Sequence, residues 1–440
     1  MPKYFGTDGV RGVAGEFITD ELAYKIGRYI GQYPNGHKNK ILIARDTRIS
    51  GESLAKSVGD GAIKSGSDVY DIGVSTTPSV SFLVRKHKFD YGVMISASHN
   101  PYYDNGIKIF NAEGEKLEAH IEEEIEGYID NPMDDLPVKD TGKRMPTETL
   151  IPEYIDFVTS KAIPEVKKLF VYIDCANGSS SNIAPKVLDK LGVKYVVTSN
   201  KPNGTNINDK CGSTKIENNA EAVKKGNFDL AFAFDGDADR CLAMSNDGEV
   251  VNGDALIYLN ALNLKKHGKL AGNTAVVTVM SNLGLKKAFE KEGIEVHETA
   301  VGDKYVQADM KANKLSIGGE QSGHIIFLDD LNTGDGLLTM VHTLNVVASE
   351  GKKLQELVKD LKIYPQSLVN VKVKDKTTVL KDEGFVKKIK EIEESLKGNG
   401  RILVRPSGTE PLIRIMCEAP SKEKCDEVTS TLAKYVEEMK

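Results

Sequence analysis

The sequence contains no tryptophan and only five cysteines in 440 residues, and the cysteines are scattered without C-x-x-C spacing. An odd number of dispersed cysteines in a long chain does not suggest a disulfide framework, and it favours a reducing, cytoplasmic compartment. The sequence also lacks an apolar run of about 18 residues or more, and its first residues lack the apolar segment of a signal peptide. We therefore predict neither a membrane span nor secretion.

An overall excess of basic residues is absent as well. Lys and Arg together number 58 against 64 for Asp and Glu, which gives a net charge of -6. Proteins that bind the phosphate backbone of nucleic acids usually carry the opposite imbalance. We therefore expect no nucleic-acid partner, and an acidic small substrate would need a local cluster of arginines, backbone N–H groups or a metal ion.

Short apolar runs rich in β-branched residues alternate with segments of helical periodicity, and this alternation starts three times along the chain. It predicts three successive α/β modules with mixed, largely parallel sheets. After residue 365 the pattern changes to alternating apolar residues and a long charged helix, which indicates a smaller α+β module at the carboxyl end. The predicted domains are 1–152, 153–249, 250–364 and 365–440.

In each of the first three modules an apolar strand leads directly into a polar loop. These loops span residues 96–101, 235–240 and 318–324, and the fourth module adds residues 405–411. Open α/β sheets bind ligands beyond the carboxyl ends of their strands. We therefore expect the loops to meet in a central active-site cleft.

Three aspartates, Asp235, Asp237 and Asp239, occupy alternate positions directly after the apolar run 230–234. An extended or turning backbone would place their carboxylates on one side, where they would need a cation. Oxygen ligands without a neighbouring Cys or His favour Mg²⁺ over zinc. An EF-hand is disfavoured because Arg240 stands where that loop needs glycine. For the motif taken alone, a solvated turn stays the alternative.

Ser98 lies in the first loop beside His99. Neighbouring side chains diverge, so the two do not form a nucleophile and base pair by themselves. A phosphorylated Ser98 would instead bring nearly two negative charges and three acceptor oxygens to the cation. Lys108 is expected to return to the same cleft as a proton shuttle or charge clamp. An ordinary loop serine and a surface lysine are the alternatives.

The remaining loops offer anion and hydroxyl recognition. Arg405, with the hydroxyls and flexible backbone that follow it, is typical of an anion-binding nest. The third loop carries mixed donors and acceptors suited to sugar hydroxyls. Glycines around Arg11 suggest backbone close to an anion, and the absence of a G-x-x-x-x-G-K-[ST] motif removes support for ATP-dependent chemistry.

Five motifs in one order resemble those of the α-D-phosphohexomutase family. They are FGTDGVRG at residues 5–12, ISASHNPYYDNGIKIF at 95–110, DGDADR at 235–240, GEQSGH at 319–324 and RPSGTEP at 405–411. Together they are far more specific than any single motif. FGTDGVRG and Gln321 favour the branch of the family that acts on glucosamine phosphates.

The resemblance implies four domains around a central cleft and an isomerase that interconverts glucosamine 6-phosphate and glucosamine 1-phosphate, a step towards cell-wall precursors. It implies a phosphoserine at Ser98, glucosamine 1,6-bisphosphate as intermediate and primer, and one Mg²⁺ held by that phosphate and the three aspartates. The implied catalytic residues are Ser98, His99, Lys108, Arg11 and Arg240. The implied substrate-binding residues are Asp303, Glu320, Ser322, Arg405, Ser407, Gly408, Thr409 and Arg414. Lys304 stands where the family leads us to expect arginine, and lysine cannot form a bidentate contact with phosphate.

Three alternatives stay open on the sequence. The first is a phosphomannomutase or phosphoglucomutase of the same family. The second is a haloacid-dehalogenase-like phosphatase with Asp235 as nucleophile, and the third is a non-catalytic sugar-phosphate or cation-binding protein in which Ser98 is never phosphorylated. The sequence also leaves open whether a kinase, autophosphorylation or a bisphosphate primes Ser98, and whether the chain forms the homodimer common in the family.

Overall fold

The computed structural model describes residues 3–6, 8–32, 38–131, 142–407 and 411–439. The chain divides into two compact units. One comprises Met1–Met280 and Ile294–Lys359, and the other comprises Ser281–Gly293 and Asp360–Lys440. Within the described ranges, no helix is long and apolar enough to cross a membrane. The four predicted domain bounds stay a prediction.

The first unit begins with a six-stranded sheet flanked by helices. Its strands are β1 (Phe5–Gly6), β2 (Gly9–Val13), β3 (Lys40–Arg45), β4 (Asp68–Val74), β5 (Tyr91–Ile95) and β6 (Asp104–Phe110). Its helices are α1 (Asp20–Ile30), α2 (Gly51–Lys64), α3 (Thr77–His87) and α4 (Ala119–Asp130). The strand order is β1-β2-β6-β5-β3-β4. Every residue of β5 is buried, as its unbroken apolar run predicts for a strand covered on both faces.

Helices α1 and α2 pack closely because glycines face each other's backbone. A Cβ atom on Gly27 would lie 2.0 Å from the carbonyl oxygen of Val58, and one on Gly61 would lie 2.2 Å from that of Tyr24. Thr19 caps the N-terminus of helix α1, since its side chain accepts a hydrogen bond from the N–H of Leu22.

A second sheet of the same unit has the order β11-β10-β9-β7-β8. Its strands are β7 (Phe170–Asp174), β8 (Lys194–Thr198), β9 (Leu230–Phe234), β10 (Cys241–Ser245) and β11 (Val250–Val251). The helices in this part are α5 (Leu150–Thr159), α6 (Ala184–Leu191) and α7 (Ala220–Lys225), with short 3₁₀ helices at Pro164–Lys168, Ser179–Asn182 and Ser213–Asn219.

A third sheet has the order β13-β12-β14-β15. Its strands are β12 (Thr274–Thr278), β13 (Glu295–Thr299), β14 (Ile317–Gly319) and β15 (Ile325–Phe327). The accompanying helices are α8 (Gly253–Lys266), α10 (Asp303–Asn313), α11 (Gly336–Glu350) and α12 (Leu354–Leu357), and Ala271–Asn273 is a 3₁₀ turn. Helix α9 (Leu283–Lys291), which follows β12 along the chain, falls in the second unit.

The second unit also contains an antiparallel sheet in the order β16-β18-β17. Its strands are β16 (Gln366–Lys372), β17 (Arg401–Pro406) and β18 (Leu412–Glu418), and its other helices are α13 (Lys376–Lys381), α14 (Glu383–Ser395) and α15 (Lys422–Glu438). Ile413, Ile415 and Cys417 alternate along β18 and are buried in the core of this unit. Their spacing of two places them on one face of the strand.

The first three sheets are mixed because the chain turns back after each polar loop. Strand β6 pairs antiparallel with β5, β10 with β9, and β15 with β14. Each of the three loops therefore joins two neighbouring antiparallel strands, while β3, β7 and β12 supply the parallel pairings. The alternating pattern predicted the parallel strands and missed the three returning ones.

Candidate functional site

The loop after β5 holds Ser98 in a left-handed backbone conformation, with φ at 52°. This conformation costs a residue other than glycine on the order of 1 kcal/mol or more, so surrounding contacts must hold it. The Ser98 side chain is buried, and its hydroxyl donates a hydrogen bond of 2.5 Å to Oδ2 of Asp235. The first and second polar loops are thus in direct contact.

The three aspartates of the second loop are buried and lie together. One carboxylate oxygen from each of Asp235, Asp237 and Asp239 is within 4.8 Å of the other two. Among the residues that the structure describes, Oδ1 of Asp237 and Oδ1 of Asp239 have no hydrogen-bond partner. Buried carboxylate oxygens without partners are costly, and a hard divalent cation would satisfy them. An all-oxygen donor set with two open ligand atoms therefore fits Mg²⁺.

Lys108 lies on β6 with its side chain only 2% exposed. Its Nζ is 2.7 Å from Oδ2 of Asp237, 3.2 Å from Oδ2 of Asp239 and 3.2 Å from Oδ2 of Asp8. Burial would lower the pKa of Lys108, but the carboxylates of Asp237, Asp239 and Asp8 outweigh it and hold that pKa well above its ordinary value. Lys108 is thus a buried, charged residue of the cluster.

The side chains of Arg240 and His99 are hydrogen-bonded to each other next to Ser98. Nη1 of Arg240 is 3.1 Å from Nδ1 of His99, and Nδ1 of His99 is 3.4 Å from Oγ of Ser98. Burial, with the positive charges of Arg240 and Arg11, lowers the pKa of His99 to about 4. His99 is therefore neutral at pH 7 and can accept the Arg240 hydrogen bond at Nδ1.

The carboxyl of Asp235 is the one whose charge the site disfavours. Burial raises its pKa well above the ordinary value, and the charges of Asp239 and Asp237 add to that effect. The opposite holds for Asp239, where burial is outweighed by Lys108 and His324, so that its pKa lies well below the usual range. Such a split among neighbouring carboxyls is characteristic of sites that bind cations or handle protons.

The third loop reaches the same cluster through His324. Its Nδ1 is 3.9 Å from Oδ2 of Asp239, and its Nε2 is 3.7 Å from Oδ2 of Asp303. Oε1 of Glu320 accepts a hydrogen bond of 3.1 Å from the backbone N–H of Gly302. Ser322 is exposed. The side chain of Lys304 turns towards Tyr305, with Nζ 5.3 Å from the ring centre.

In the second unit, Arg405 and Arg414 are direct partners across the β17–β18 register. Burial and the positive charge of Arg414 lower the pKa of Arg405, as expected for two neighbouring cations. Ser407 is buried and its carbonyl oxygen accepts a hydrogen bond of 2.8 Å from Nζ of Lys376. The predicted substrate-binding residues Gly408 and Thr409 lie outside the described residues.

Four family models match successive parts of the chain. They describe the phosphoglucomutase/phosphomannomutase alpha/beta/alpha domains I, II and III at residues 2–135, 152–248 and 252–364, and the C-terminal domain at residues 368–434. Curated relatives match over the full length. Phosphoglucosamine mutases from Lactobacillus helveticus and Clostridioides difficile are each 46% identical, covering 99% and 100% of this chain and 99% of their own. The chain belongs to the phosphoglucosamine mutases.

Solved structures of the wider family share the fold. A phosphoglucomutase/phosphomannomutase family protein from Burkholderia thailandensis superposes with a TM-score of 0.80 at 22% identity, over 99% of this chain and 98% of that one. Aspergillus fumigatus N-acetylphosphoglucosamine mutase, solved in complex with GlcNAc-6P and magnesium, gives 0.69 at 18% identity, over 99% and 95%. These matches confirm the predicted α/β architecture of four domains with a smaller carboxyl-terminal one, and family membership confirms the prediction of a mutase of the isomerase class.

Two charged residues at the site were not predicted from the sequence. Nζ of Lys116 is 2.7 Å from Oδ1 of Asp8 and 2.6 Å from Oδ2 of Asp303, and Asp8 also pairs with Arg11. Lys116 follows a polar turn after β6 and belongs to none of the sequence motifs. Its position is seen only in the structure, where it forms an antiparallel bridge with Phe110 at the end of β6. Asp8 lies within the first motif. From the sequence, only the glycines of that motif and Arg11 were interpreted as close to an anion.

A third unpredicted residue is Thr77, at the start of α3. Its hydroxyl donates a hydrogen bond of 2.6 Å to Oδ2 of Asp237, and its N–H donates one of 3.0 Å to the Asp237 carbonyl oxygen. The first module thereby fixes both the backbone and the side chain of a cluster aspartate. A threonine before a proline at a helix start is common, so no sequence pattern distinguishes Thr77.

Proposed function

We propose that this chain interconverts glucosamine 6-phosphate and glucosamine 1-phosphate by way of a phosphoserine at Ser98. The observation that supports it most directly is the hydrogen bond from the Ser98 hydroxyl to one of three clustered, buried aspartates. Relatives at 46% identity over the full length bear the name phosphoglucosamine mutase, which supports the choice of sugar.

In this proposal Asp235, Asp237 and Asp239 would hold one Mg²⁺ together with the phosphate on Ser98. The two unpartnered carboxylate oxygens of the cluster support the assignment, as does a magnesium complex of a mutase with the same fold. When bound, the ion would supply positive charge that stabilises the transferring phosphoryl group.

The transfer is a displacement at phosphorus. A free hydroxyl of the sugar monophosphate, at position 1 or 6, attacks the phosphoryl group of phospho-Ser98 and gives its proton to a base of the site. The bond from phosphorus to Ser98 Oγ breaks as the new phosphate ester forms. The product, glucosamine 1,6-bisphosphate, turns around and returns its other phosphoryl group to Ser98, so the net reaction is an isomerisation.

Charge balance around Ser98 suits such a transfer, which depends mainly on alignment and electrostatic stabilisation. Lys108 and Arg240 would neutralise negative charge on the transferring phosphoryl group. Arg11 would bind a phosphate of the substrate. Neutral His99 would direct a hydrogen bond to the reacting oxygens. Their positions around Ser98 and the aspartates support these roles.

Recognition of the substrate is assigned to other groups. Asp303, Glu320 and Ser322 would bind sugar hydroxyl groups. The phosphate that does not react would be bound by residues of the second unit, where Arg405 and Arg414 are directly opposed on β17 and β18 and offer two positive charges to an anion. These residues are Arg405, Ser407, Gly408, Thr409 and Arg414.

The decisive experiment combines Ser98→Ala with a comparison of substrates. With a bisphosphate primer, the wild-type protein should convert glucosamine 6-phosphate faster than glucose 6-phosphate or mannose 6-phosphate, and Ser98→Ala should lose at least about 1000-fold in kcat. Ser395→Ala, at an exposed helix end, is the control. Intact-mass analysis should find one phosphate on the wild-type protein and none on Ser98→Ala.

Other outcomes would point to the alternatives. A preference for glucose or mannose phosphates would make the chain a phosphoglucomutase or phosphomannomutase in activity. Net release of phosphate would favour the phosphatase with Asp235 as nucleophile. An unphosphorylated and inactive wild-type protein would favour a binding protein.

The cellular setting completes the proposal. All five cysteines are free and buried, which agrees with a cytoplasmic enzyme. We assign the priming of Ser98 to a sugar bisphosphate. The homodimer stays a prediction, and sedimentation of the purified protein tests it.

A further inference from the structure

The side chain of Arg48 is buried directly beneath the loop that carries Ser98. Nη2 donates hydrogen bonds of 2.9 Å to the carbonyl oxygens of Ser98 and Asn100, and Nη1 donates to those of Asp104, at 3.0 Å, and Pro101. The residue is only 2% exposed. One guanidinium therefore satisfies four backbone carbonyls of the segment that begins at the proposed phosphoserine.

A second set of bonds links Arg48 to the N–H of Ser98. Nε of Arg48 donates to Oδ2 of Asp46 at 2.8 Å, and the hydroxyl of Ser96 donates to the same oxygen at 2.7 Å. The Ser96 hydroxyl in turn accepts the N–H of Ser98 at 2.8 Å. Both backbone polar groups of Ser98 are thus fixed by one network that starts at Asp46 and Arg48.

Asn208, from the module of the second sheet, holds the loop from the opposite side. Its Nδ2 donates to the carbonyl oxygens of Ser98, at 2.9 Å, and Asn100, at 3.1 Å. Thr47 and Ile49, which flank Arg48, bond to backbone carbonyls of Asn177, at 2.6 Å, and Gly204, at 2.9 Å. The Arg48 segment is therefore anchored on the same module as Asn208.

This double anchoring explains how Ser98 keeps its left-handed backbone. Without the donors, the buried carbonyls would be unsatisfied and the loop would relax towards a negative φ, since the observed φ of 52° is unfavourable for serine. Relaxation would turn the Ser98 side chain away from Asp235, to which its hydroxyl now donates. Phosphoryl transfer is sensitive to misplacement of about 1 Å, at roughly 100-fold in rate.

We propose that Arg48 and Asn208 are positioning residues for the phosphoryl transfer at Ser98, acting through the carbonyl oxygens of Ser98 and Asn100. The inference rests on the proposed function, since it assigns a role in the transfer from and to Ser98. Neither side chain needs to touch the sugar. Their loss should therefore lower kcat and leave KM nearly unchanged.

The main test uses Asn208→Ala, because Asn208 is partly exposed. The melting temperature is measured together with the kinetics, since alanine tolerates the Asn208 φ of 57° less well than asparagine does. Asn218→Ala is the matched control, since Asn218 is exposed in the same module and its Nδ2 also donates to a backbone carbonyl, that of Lys210. Asn208→Ala should reduce kcat by about 10- to 100-fold with KM changed less than about twofold. The rate at which glucose 1,6-bisphosphate phosphorylates Ser98, followed by intact mass, should fall by the same factor.

Arg48→Lys and Arg48→Met give the second comparison. Lysine keeps a charge near Asp46 but cannot serve four carbonyls, so it should recover only part of the rate that methionine loses. If Arg48→Met does not fold, Asn208→Ala decides alone. Unchanged kcat in Asn208→Ala, or a loss explained entirely by a lower melting temperature, overturns the inference. A wild-type protein that is neither phosphorylated nor active overturns the proposed function instead.

Discussion

At the scale of single residues, the main feature is a buried cluster with an excess of acidic groups near Ser98. Lys108 balances part of the charge of the three aspartates, yet two carboxylate oxygens lack a partner in the part of the chain that the structure describes. Without a cation such a cluster destabilises the folded state. Binding of a cation should therefore be visible in stability as well as in activity.

We expect Mg²⁺ at millimolar concentration to raise the melting temperature of the wild-type protein, because a ligand that binds only the folded state stabilises it. Asp237→Asn should abolish this rise and reduce activity at least about 100-fold. Differential scanning fluorimetry with Mg²⁺ and with EDTA measures the shift. Asp329→Asn, which removes an exposed carboxylate, should behave like the wild type. An equal rise in Asp237→Asn and the wild type would rule out this site as the source of the effect.

At the scale of secondary-structure elements, the contact of α1 with α2 depends on glycine. Gly27→Ala should lower stability by about 2 kcal/mol or more, because the added Cβ would lie 2.0 Å from the Val58 carbonyl oxygen. Gly127→Ala, in the last turn of α4 where nothing lies within 4 Å of an added Cβ, should instead raise stability by up to about 0.5–1 kcal/mol. Urea unfolding of both variants tests the opposite signs. A loss of stability in Gly127→Ala similar to that in Gly27→Ala would contradict the steric argument.

Asp335 caps the N-terminus of helix α11, and its carboxylate accepts hydrogen bonds from the N–H groups of Leu337 and Leu338 and from the hydroxyl of Tyr154. Burial raises the pKa of Asp335 to about 7. A carboxyl whose pKa is raised on folding favours the folded state at low pH, and that contribution is lost as pH rises from about 4 to about 7. Asn at this position keeps the cap without titrating.

We therefore expect the melting temperature of Asp335→Asn to rise relative to the wild type between pH 4.5 and pH 7.5, and to change little above that. The free-energy difference behind the shift is up to about 4 kcal/mol, at about 1.4 kcal/mol per pKa unit. Melting curves of both proteins in matched buffers test it. Parallel profiles across this range would show that Asp335 does not titrate there.

At the scale of the whole molecule, ion pairs join the modules of the first unit around the site. Lys116 connects Asp8 with Asp303 from a position 21% exposed, whereas Lys311 pairs with Glu115 nearer the surface. Lys116→Gln should cost about 1–2 kcal/mol, because it removes the cation that lies between the half-buried carboxylates of Asp8 and Asp303. Lys311→Gln should cost less than about 1 kcal/mol. Urea unfolding compares them, and equal losses would contradict the importance of burial.

The sequence was sufficient to predict the secondary-structure elements that have a clear apolar pattern. Strand β9 coincides with the apolar run 230–234 noted in the sequence, because an uninterrupted apolar run of this length is typical of a strand buried on both faces. The return strand β6 was missed since its buried Lys108 and its glycine interrupt the apolar pattern. Lys108 can be buried because carboxylates of another module pair with its charge. No local sequence pattern indicates this pairing.

The candidate site was predictable where one loop carried several unusual residues together. Asp235, Asp237 and Asp239 were identified from spacing, and the structure brings Ser98, Lys108, His99 and Arg240 to them. Lys116, Thr77 and Arg48 were not found, since their roles depend on partners more than 40 residues away in the sequence. Such residues become visible only when the modules are seen packed together.

The burial of Ser98 limits what can first place a phosphate on it. A protein kinase recognises its target as an extended peptide, but here the target segment is pinned at four carbonyls by one guanidinium and covered by a neighbouring module. Drawing it out would mean dismantling the catalytic centre. We therefore expect the first phosphoryl donor to be a molecule small enough to reach Ser98 in the folded enzyme, as the sugar phosphates of the proposed reaction are.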